Sequence, residues 1–278
     1  MKFINSINEI INIYDNFIID QWGVMHDGTA GYSHAIETIK LLNKNNKNLF
    51  IISNSSKRNN FTNDKLPKLG FEKDFFIEVF TSGEMIWKTL NDNYPKFQDT
   101  KICYHIFDSN KEDGLLFRKG LNLNYTNDIN EADFILACTP FSKMMPVDYI
   151  PILNKAIDKN LVMYCANPDY ETINTKVDKT TFCMGVIADI YEKMGGKVII
   201  RGKPEIAIYY ETTKSIKLDK TKTVAIGDSM LHDIKGANNF NIDSVLVKSG
   251  IHKDLLKIKK ISKNHHIYPT YIIDDFCI

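Results

Sequence analysis

The chain has 278 residues, 44% of them hydrophobic, enough to bury a large core and long enough for two α/β units rather than one. Lysine plus arginine (35) nearly balance aspartate plus glutamate (34), so overall charge recruits neither nucleic acid nor an anionic membrane surface, and a small molecule is the default partner. Five scattered cysteines, without any CxxC spacing, exclude a zinc ribbon or a disulfide framework and read as reduced thiols of a cytoplasmic protein.

The opening segment, MKFINSINEIINIYDNF, interleaves Ile with Asn, Glu and Asp, which is not the uninterrupted apolar stretch of a signal peptide. No run approaches the ~18 apolar residues of a membrane span. From there, short apolar runs alternate with helix-period stretches, the pattern of a parallel sheet wrapped by helices. The runs predict strands at 17–19, 49–52, 79–80, 101–107, 134–137, 161–164, 198–200, 224–226, 244–247 and 271–273. These are too many for one compact sheet. Helical spacing predicts helices at 34–43, 83–90, 147–158, 183–193, 205–215 and 230–238, with Gly195-Gly196 stopping the fourth. The polar stretch 91–123, broken by Pro95 and Gly114, marks the start of an inserted unit.

Four of the runs end alike: FIID closes on Asp20, LFIIS on Ser53, VIIRGK on Lys203 and VAIGD on Asp228. In open α/β sheets, ligands bind beyond the carboxyl ends of the strands. If these strands are parallel and adjacent, two carboxylates, a hydroxyl and an ammonium converge on one crevice. Taken singly, each has a plainer reading. Asp20 and Asp228 suit helix caps, Ser53 a turn, and Lys203 a solvated lysine before a proline. Order and joint placement favour the site.

The motifs D-x-W-G-V-x-x-x-G (Asp20 to Gly28), ISNSS (Ile52 to Ser56), KLGF and FTSGE (Lys68 to Glu84), ANPD (Ala166 to Asp169), RGKPE (Arg201 to Glu205) and GDSMLHD (Gly227 to Asp233) run through nearly the whole chain. Together they resemble the haloacid dehalogenase superfamily, specifically its class IIA phosphatases of the sugar phosphatase and pyridoxal phosphatase kind. The resemblance implies a Rossmann-like parallel sheet core at 1–83 and 198–278, with an α/β cap of the C2 type inserted at 84–197.

It further implies a magnesium-dependent phosphatase acting on a small phosphorylated metabolite such as a sugar, nucleotide or cofactor phosphate. Asp20 would be the nucleophile that carries an aspartyl-phosphate. Ser53 would bind phosphoryl oxygens and Lys203 would bridge Asp20 and the phosphoryl group. Asp20, Asp228, Asp233 and the backbone carbonyl at Trp22 would hold Mg2+, an ion suited to hard oxygen ligands. Asn54 and Ser55 from the core, with Asn167 and Asp169 from the cap, would contact substrate, although Asn167-Pro168-Asp169 also reads as a simple turn. A homodimer formed through the cap is a further expectation from the relatives.

One position departs from the pattern. The family usually places a second aspartate two residues after the nucleophile, as general acid and base, and here that residue is Trp22. A missing general acid typically costs ~10²–10⁴ in rate. Either His26 or Asp27 supplies the proton, or the substrate has a good leaving group such as an acyl or aryl phosphate, or the protein binds a phosphate ester without turnover. Trp22 itself either packs beneath the cap or stacks on an aromatic substrate group. Other signals carry less. Gly196-Lys197 lacks the rest of a P-loop, His265-His266 has no partner at ligand spacing, and Met144-Met145-Pro146 reads as gap filling.

Overall fold

The computed structural model describes residues 1–97, 101–110, 113–174 and 179–278. In chain order its regular elements are β1 (Lys2–Phe3), β2 (Asn16–Ile19), α1 (Ser33–Lys44), β3 (Asn48–Ser53), α2 (Asn59–Lys65), β4 (Phe76–Thr81) and α3 (Ser82–Phe97). Then follow β5 (Ile102–Ile106), α4 (Asp113–Arg118), β6 (Asn124–Thr126), β7 (Phe134–Ala137), α5 (Ile150–Asp158), β8 (Val162–Cys165), β9 (Glu171–Asn174), β10 (Lys179–Phe182), α6 (Met184–Lys193) and β11 (Lys197–Ile200). The chain ends with α7 (Ile206–Thr213), β12 (Thr223–Gly227), α8 (Lys235–Phe240), β13 (Asp243–Val247), α9 (Leu255–His265) and β14 (Tyr271–Ile273).

The strands form two all-parallel sheets and a small antiparallel hairpin, β9–β10. The core sheet has seven strands in the order β1-β14-β13-β12-β2-β3-β4. The cap sheet has five, in the order β11-β8-β7-β5-β6. In the core sheet the chain steps outward one way from β2 to β4 and the other way from β12 to β14, so the order reverses between β2 and β12. That reversal opens a crevice beyond their carboxyl ends.

Why these runs become central strands follows from burial on both faces. Phe17 and Ile19 of β2, Leu49 and Ile51 of β3, and Val224 and Ile226 of β12 enter one cluster with Ala35, Ile39 and Leu42 of α1. Their alternates Ile18, Phe50, Ile52 and Ala225 enter another with Ile208 and Tyr209 of α7 and Phe240 of α8. Period-2 alternation with both sides covered leaves a continuous apolar run. Burying each Phe, Ile or Leu contributes about 1.5–3 kcal/mol. The cap repeats the plan: Ile106, Ile135, Ala137 and Met163 pack on α5 and α6, while Cys103, Phe134 and Leu136 face Ile86, Leu90 and Phe117.

The predicted core helices and strands match these elements to within a few residues, but the boundaries move. β11 pairs in parallel with β8, Val198 opposite Met163, so it is an edge strand of the cap, and the chain re-enters the core after Ile200 rather than at Val198. On the outward crossing, Met85 of α3 packs on the core while Ile86 and Leu90 join the cap. The two crossings touch: Ser82 Oγ donates to the Arg201 carbonyl. The predicted helix at 230–238 opens instead as a wide π turn, Met230–Ile234, before α8. The 91–123 stretch holds the end of α3, β5 and α4, with residues 98–100 and 111–112 outside those described. Among the described residues, no helix is long and apolar enough to cross a membrane.

Candidate active site

Asp20 is the first residue after β2 and Asp228 the first after β12, so the sheet reversal brings them side by side. The Asp20 backbone N–H donates to the Ile226 carbonyl at 2.8 Å, extending the β2–β12 ladder one step to hold the loop in register. Lys203 enters from the β11–α7 connection. Its Nζ donates to Asp20 Oδ1 at 2.5 Å, to Asp233 Oδ1 at 2.7 Å and to the Ile52 carbonyl at 3.5 Å. Asp20, Asp228 and Asp233 each place a carboxylate oxygen within 4.8 Å of the others. All four side chains are buried.

Glycines make that crowding possible. A Cβ on Gly23 would lie 2.1 Å from Asp228 Oδ2, and one on Gly250 would lie 2.0 Å from the same atom. Gly23 also sits at φ +79, where other side chains are strained. At the end of β12, a Cβ on Gly227 would lie 2.1 Å from the Asp233 carboxyl carbon. Backbone donors hold the far oxygens: Ile251 N–H on Asp228 Oδ2 and Ser229 N–H on Asp233 Oδ2, each at 3.0 Å. The π turn, a form often found at functional sites, swings Asp233 back beneath Gly227.

The electrostatics follow from burial. Desolvation raises the Asp20 carboxyl, Lys203 pulls it back and Asp233 raises it again, leaving it at about 7. Asp228 is pushed well above the usual carboxylate range by burial, then by Asp20 and Asp233. Burial works to lower the Lys203 ammonium, but Asp20 and Asp233 outweigh it and hold the group well above the ordinary lysine value. Fully ionised, three carboxylates around one ammonium would leave two negative charges in a buried space, which is why Asp20 and Asp228 hold their protons so strongly. Such a set is satisfied by a divalent cation, and all-oxygen donors fit a hard one.

A cavity of about 340 Å³ opens over the cluster between core and cap, lined among others by Ser53, Ser55, Lys57, Asn167, Asp169 and Cys183. Ser53 is buried at the end of β3, and its Oγ accepts the Ser55 N–H at 3.3 Å. Asn54 does not line the cavity. Its Oδ1 accepts the Lys203 N–H at 2.8 Å, and its Nδ2 donates to the Lys203 carbonyl at 3.1 Å and to Asp169 Oδ1 at 2.8 Å. These bonds brace the Lys203 backbone and tie it to the cap.

Trp22 lines the cavity, and its ring packs on its own loop. A Cβ on Gly28 would lie 2.0 Å from the ring, which meets His26 edge-on with centroids 5.2 Å apart. Lys65 Nζ lies 6.0 Å from the ring centroid and donates to the Gly28 carbonyl at 2.9 Å. His26 is buried outside the main cavity. Its Nδ1 accepts the Gly28 N–H at 3.0 Å, and burial, then Lys65, lowers its pKa to about 4. It is held neutral and hydrogen-bonded to its own loop. Asp27 does line the cavity, while its Oδ1 accepts the N–H groups of Thr29 and Ala30 at 2.7 and 2.9 Å.

Sequence reasoning missed several participants. His232 Nδ1 lies 3.3 Å from Asp169 Oδ1 and 3.1 Å from Ser229 Oγ. Gly250 and Ile251 press on and bind Asp228 from the β13–α9 loop. The GDSMLHD motif contained His232, but its partner belongs to another unit, and no local pattern announces that contact.

Comparison with known proteins agrees with the geometry. A haloacid dehalogenase-like hydrolase model matches residues 17–113, and a HAD-hydrolase-like model matches 200–277. The acid sugar phosphatase of Staphylococcus epidermidis is 22% identical over 268 residues, covering 94% of this chain and 95% of that protein. The 4-nitrophenylphosphatase of Schizosaccharomyces pombe is 23% identical over 288 residues, covering 96% and 93%. Among solved structures, a haloacid dehalogenase-like hydrolase from Brucella suis superposes with TM-score 0.85 at 22% identity, over 99% of this chain and all of that one. A p-nitrophenyl phosphatase from Archaeoglobus fulgidus gives 0.69 at 19% identity, over 95% and 97%. With family models on both halves of the core, a mid-chain cap and full-length relatives of the same kind, the chain belongs to the haloacid dehalogenase superfamily, in its class IIA branch.

Proposed function

We propose that the protein is a magnesium-dependent phosphatase that hydrolyses a small phosphate ester through an aspartyl-phosphate on Asp20. The observation that carries this reading is the buried Lys203 ammonium bridging Asp20 and Asp233 within a three-carboxylate cluster. A structural ion pair needs one carboxylate, not three.

Asp20 attacks phosphorus through a carboxylate oxygen, forming a P–O bond as the ester P–O bond breaks, and the departing alkoxide or aryloxide takes a proton from water. Water then attacks the aspartyl-phosphate at phosphorus, releasing inorganic phosphate and restoring the Asp20 carboxylate. Lys203 keeps Asp20 ionised and oriented, and the Ser53 and Ser55 hydroxyls hold phosphoryl oxygens. Asp20, Asp228, Asp233 and the Trp22 carbonyl would hold magnesium, which would supply the charge neutralisation that lets an anionic nucleophile meet an anionic ester.

The missing acid shapes the substrate. With Trp22 packed on Gly28 and His26 neutral and turned into its own loop, the cavity favours an ester whose leaving group departs without a proton, such as an aryl or acyl phosphate. A volume of about 340 Å³ is near the lower end for ligand sites and suits a phosphate joined to a single ring. Binding without turnover is not favoured, because the full-length relatives bear phosphatase names.

The test is magnesium-dependent phosphate release from esters spanning a wide range of leaving-group pKa, by wild type and Asp20→Asn. Release that falls steeply with leaving-group pKa and drops at least ~10⁴-fold in Asp20→Asn supports the reading, since nucleophile removal has effects of that scale. A shallow dependence would assign proton donation to another residue, Asp27 first. Release unaffected by Asp20→Asn would sink the mechanism.

A further inference from the structure

At the cavity wall, Asp169 reaches from the cap to the core on two sides. Its carboxylate oxygen Oδ1 accepts from Asn54 Nδ2 at 2.8 Å and lies 3.3 Å from His232 Nδ1. Asn54 belongs to the loop after β3, and His232 to the π turn that carries Asp233. The neighbouring Tyr170 ring lies over the His232 ring, centroids 5.8 Å apart.

The backbone presenting Asp169 is itself braced. Gly185 N–H donates to the Asp169 carbonyl at 3.0 Å, and a Cβ on Gly185 would lie 2.2 Å from the Pro168 carbonyl oxygen. Cys183 N–H donates to the Tyr170 carbonyl at 2.9 Å. The start of α6 thus fixes the loop, and the carboxylate is held out from a rigid base. On the core side, the Asn54 carboxamide that meets it also grips both the N–H and the carbonyl of Lys203.

We infer that Asp169 is a positioning residue: it seats the cap on the core and, through Asn54, sets the backbone of Lys203, so that a seated cap and an aligned lysine are one state. A hydrogen-bond chain with a charged end is worth more than its separate links. A substrate contact by Asp169 would leave Asn54 and His232 as bystanders, yet their polar atoms point at it and not into the cavity.

This inference rests on the phosphatase reading for its kinetic arm, and an exchange arm stands apart from it. The kinetic probe is 4-nitrophenyl phosphate with a set of alkyl phosphates, at saturating magnesium. Asp169→Ala, at a side chain 34% exposed and so tolerant of truncation, should lower kcat about tenfold to a hundredfold for every ester alike, the scale of one charge-assisted hydrogen bond. Asp169→Asn keeps an acceptor oxygen and should restore kcat to within about twofold of wild type. The double variant with Asn54→Ala should be no worse than Asn54→Ala alone.

Without any substrate, hydrogen exchange followed by mass spectrometry should show faster exchange in Asp169→Ala at residues 201–205, where the Lys203 N–H is held by Asn54. A KM rise confined to some esters with kcat intact, an Asp169→Asn variant as impaired as Asp169→Ala, additive effects with Asn54→Ala, or unchanged exchange at 201–205 would each overturn the inference. If wild type releases no phosphate, the functional reading fails, and exchange alone decides the role of Asp169.

Discussion

The core and cap sheets are both parallel throughout, both covered by helices on two faces, and both end at the same cavity, yet the buried cluster of three carboxylates and an ammonium is built by the core. Its strand ends run into Asp20, Ser53 and Asp228, with Gly23, Gly227 and Gly250 pressed against the carboxylates. The cap-sheet strands end on Ile106, Thr126, Ala137, Cys165 and Ile200, without a glycine among them. Two buried ionisable groups of the cap, His105 and Cys165, are kept neutral. Burial, then Arg118, lowers His105 to about 3, and burial raises the Cys165 thiol to about 12. His105 accepts from Arg118 Nε at 3.1 Å through Nδ1 and contacts Cys138 Sγ at 3.3 Å through Nε2, a closed network facing the interior. Parallel topology supplies a crevice in either sheet. Backbone thin enough for three carboxylates to crowd is what makes one of them reactive.

The largest effect should come from thickening that backbone. Gly250→Ala places a methyl where Asp228 Oδ2 now lies, 2.0 Å away, and displacing a group in the site by about 1 Å can cost on the order of a hundredfold in rate. We expect kcat to fall at least that far for all esters, with a weaker apparent affinity for magnesium in the same titrations. Unchanged kinetics would break the contrast between the sheets.

A smaller effect in the opposite direction is expected at the departure from the family pattern. Trp22→Asp restores a carboxyl at the position of the missing acid, and should recover part of the ~10²–10⁴ that a positioned acid supplies. Turnover of alkyl phosphates should rise about tenfold relative to 4-nitrophenyl phosphate, flattening the dependence on leaving group. If the ratio of the two rates stays the same, proton donation is already provided elsewhere.

The smallest effect concerns stability and compares the sheets directly. His26 in the core and His105 in the cap are both held neutral, at about 4 and about 3, below the ordinary value of 6.5. An unfolded chain takes up these protons as pH falls through 6.5, while the folded one does not. Stability is therefore full above that pH and lost as pH falls toward 4, by up to about 1.4 kcal/mol per pH unit for each histidine. Calorimetry should show Tm dropping over this window, and His26→Gln or His105→Gln should each flatten the drop. A flattening by His105→Gln alone would mark the loop that carries His26 as already loose at neutral pH.

Much of this was legible in the sequence because buried parallel strands are written as continuous apolar runs. FIID, LFIIS and VAIGD each end on the polar residue that the sheet delivers to the crevice. Short or polar strands were not legible: β1 is two residues long, and β9–β10 reads ETIN and KTTF. The edge strand β11 was legible as a strand but not as the cap's, because pairing with β8 is a tertiary choice. The hydrogen bonds of Asn54 to Lys203 and Asp169 were not legible either, since a polar residue after Ser53 says nothing about which way its carboxamide turns. Contacts such as His232 with Asp169 join residues 63 positions apart by sequence number, across two sheets, and periodicity cannot carry them.

The pairing of β2 with β12 has a consequence for how the protein is made. Phe17 lies opposite Val224, so the central pair of the core joins strands separated by the whole cap. During synthesis from the amino terminus, β2 can pair at once with β3, while its other neighbour does not yet exist. The cap, whose sheet is complete by Ile200, can fold on the ribosome while the core is a half-sheet with Asp20 on an open edge. Long-range closure of this kind raises contact order and slows the last step. The cluster around Asp20 can therefore form only after residues near 233 have emerged, and no chain that stops short of them assembles it.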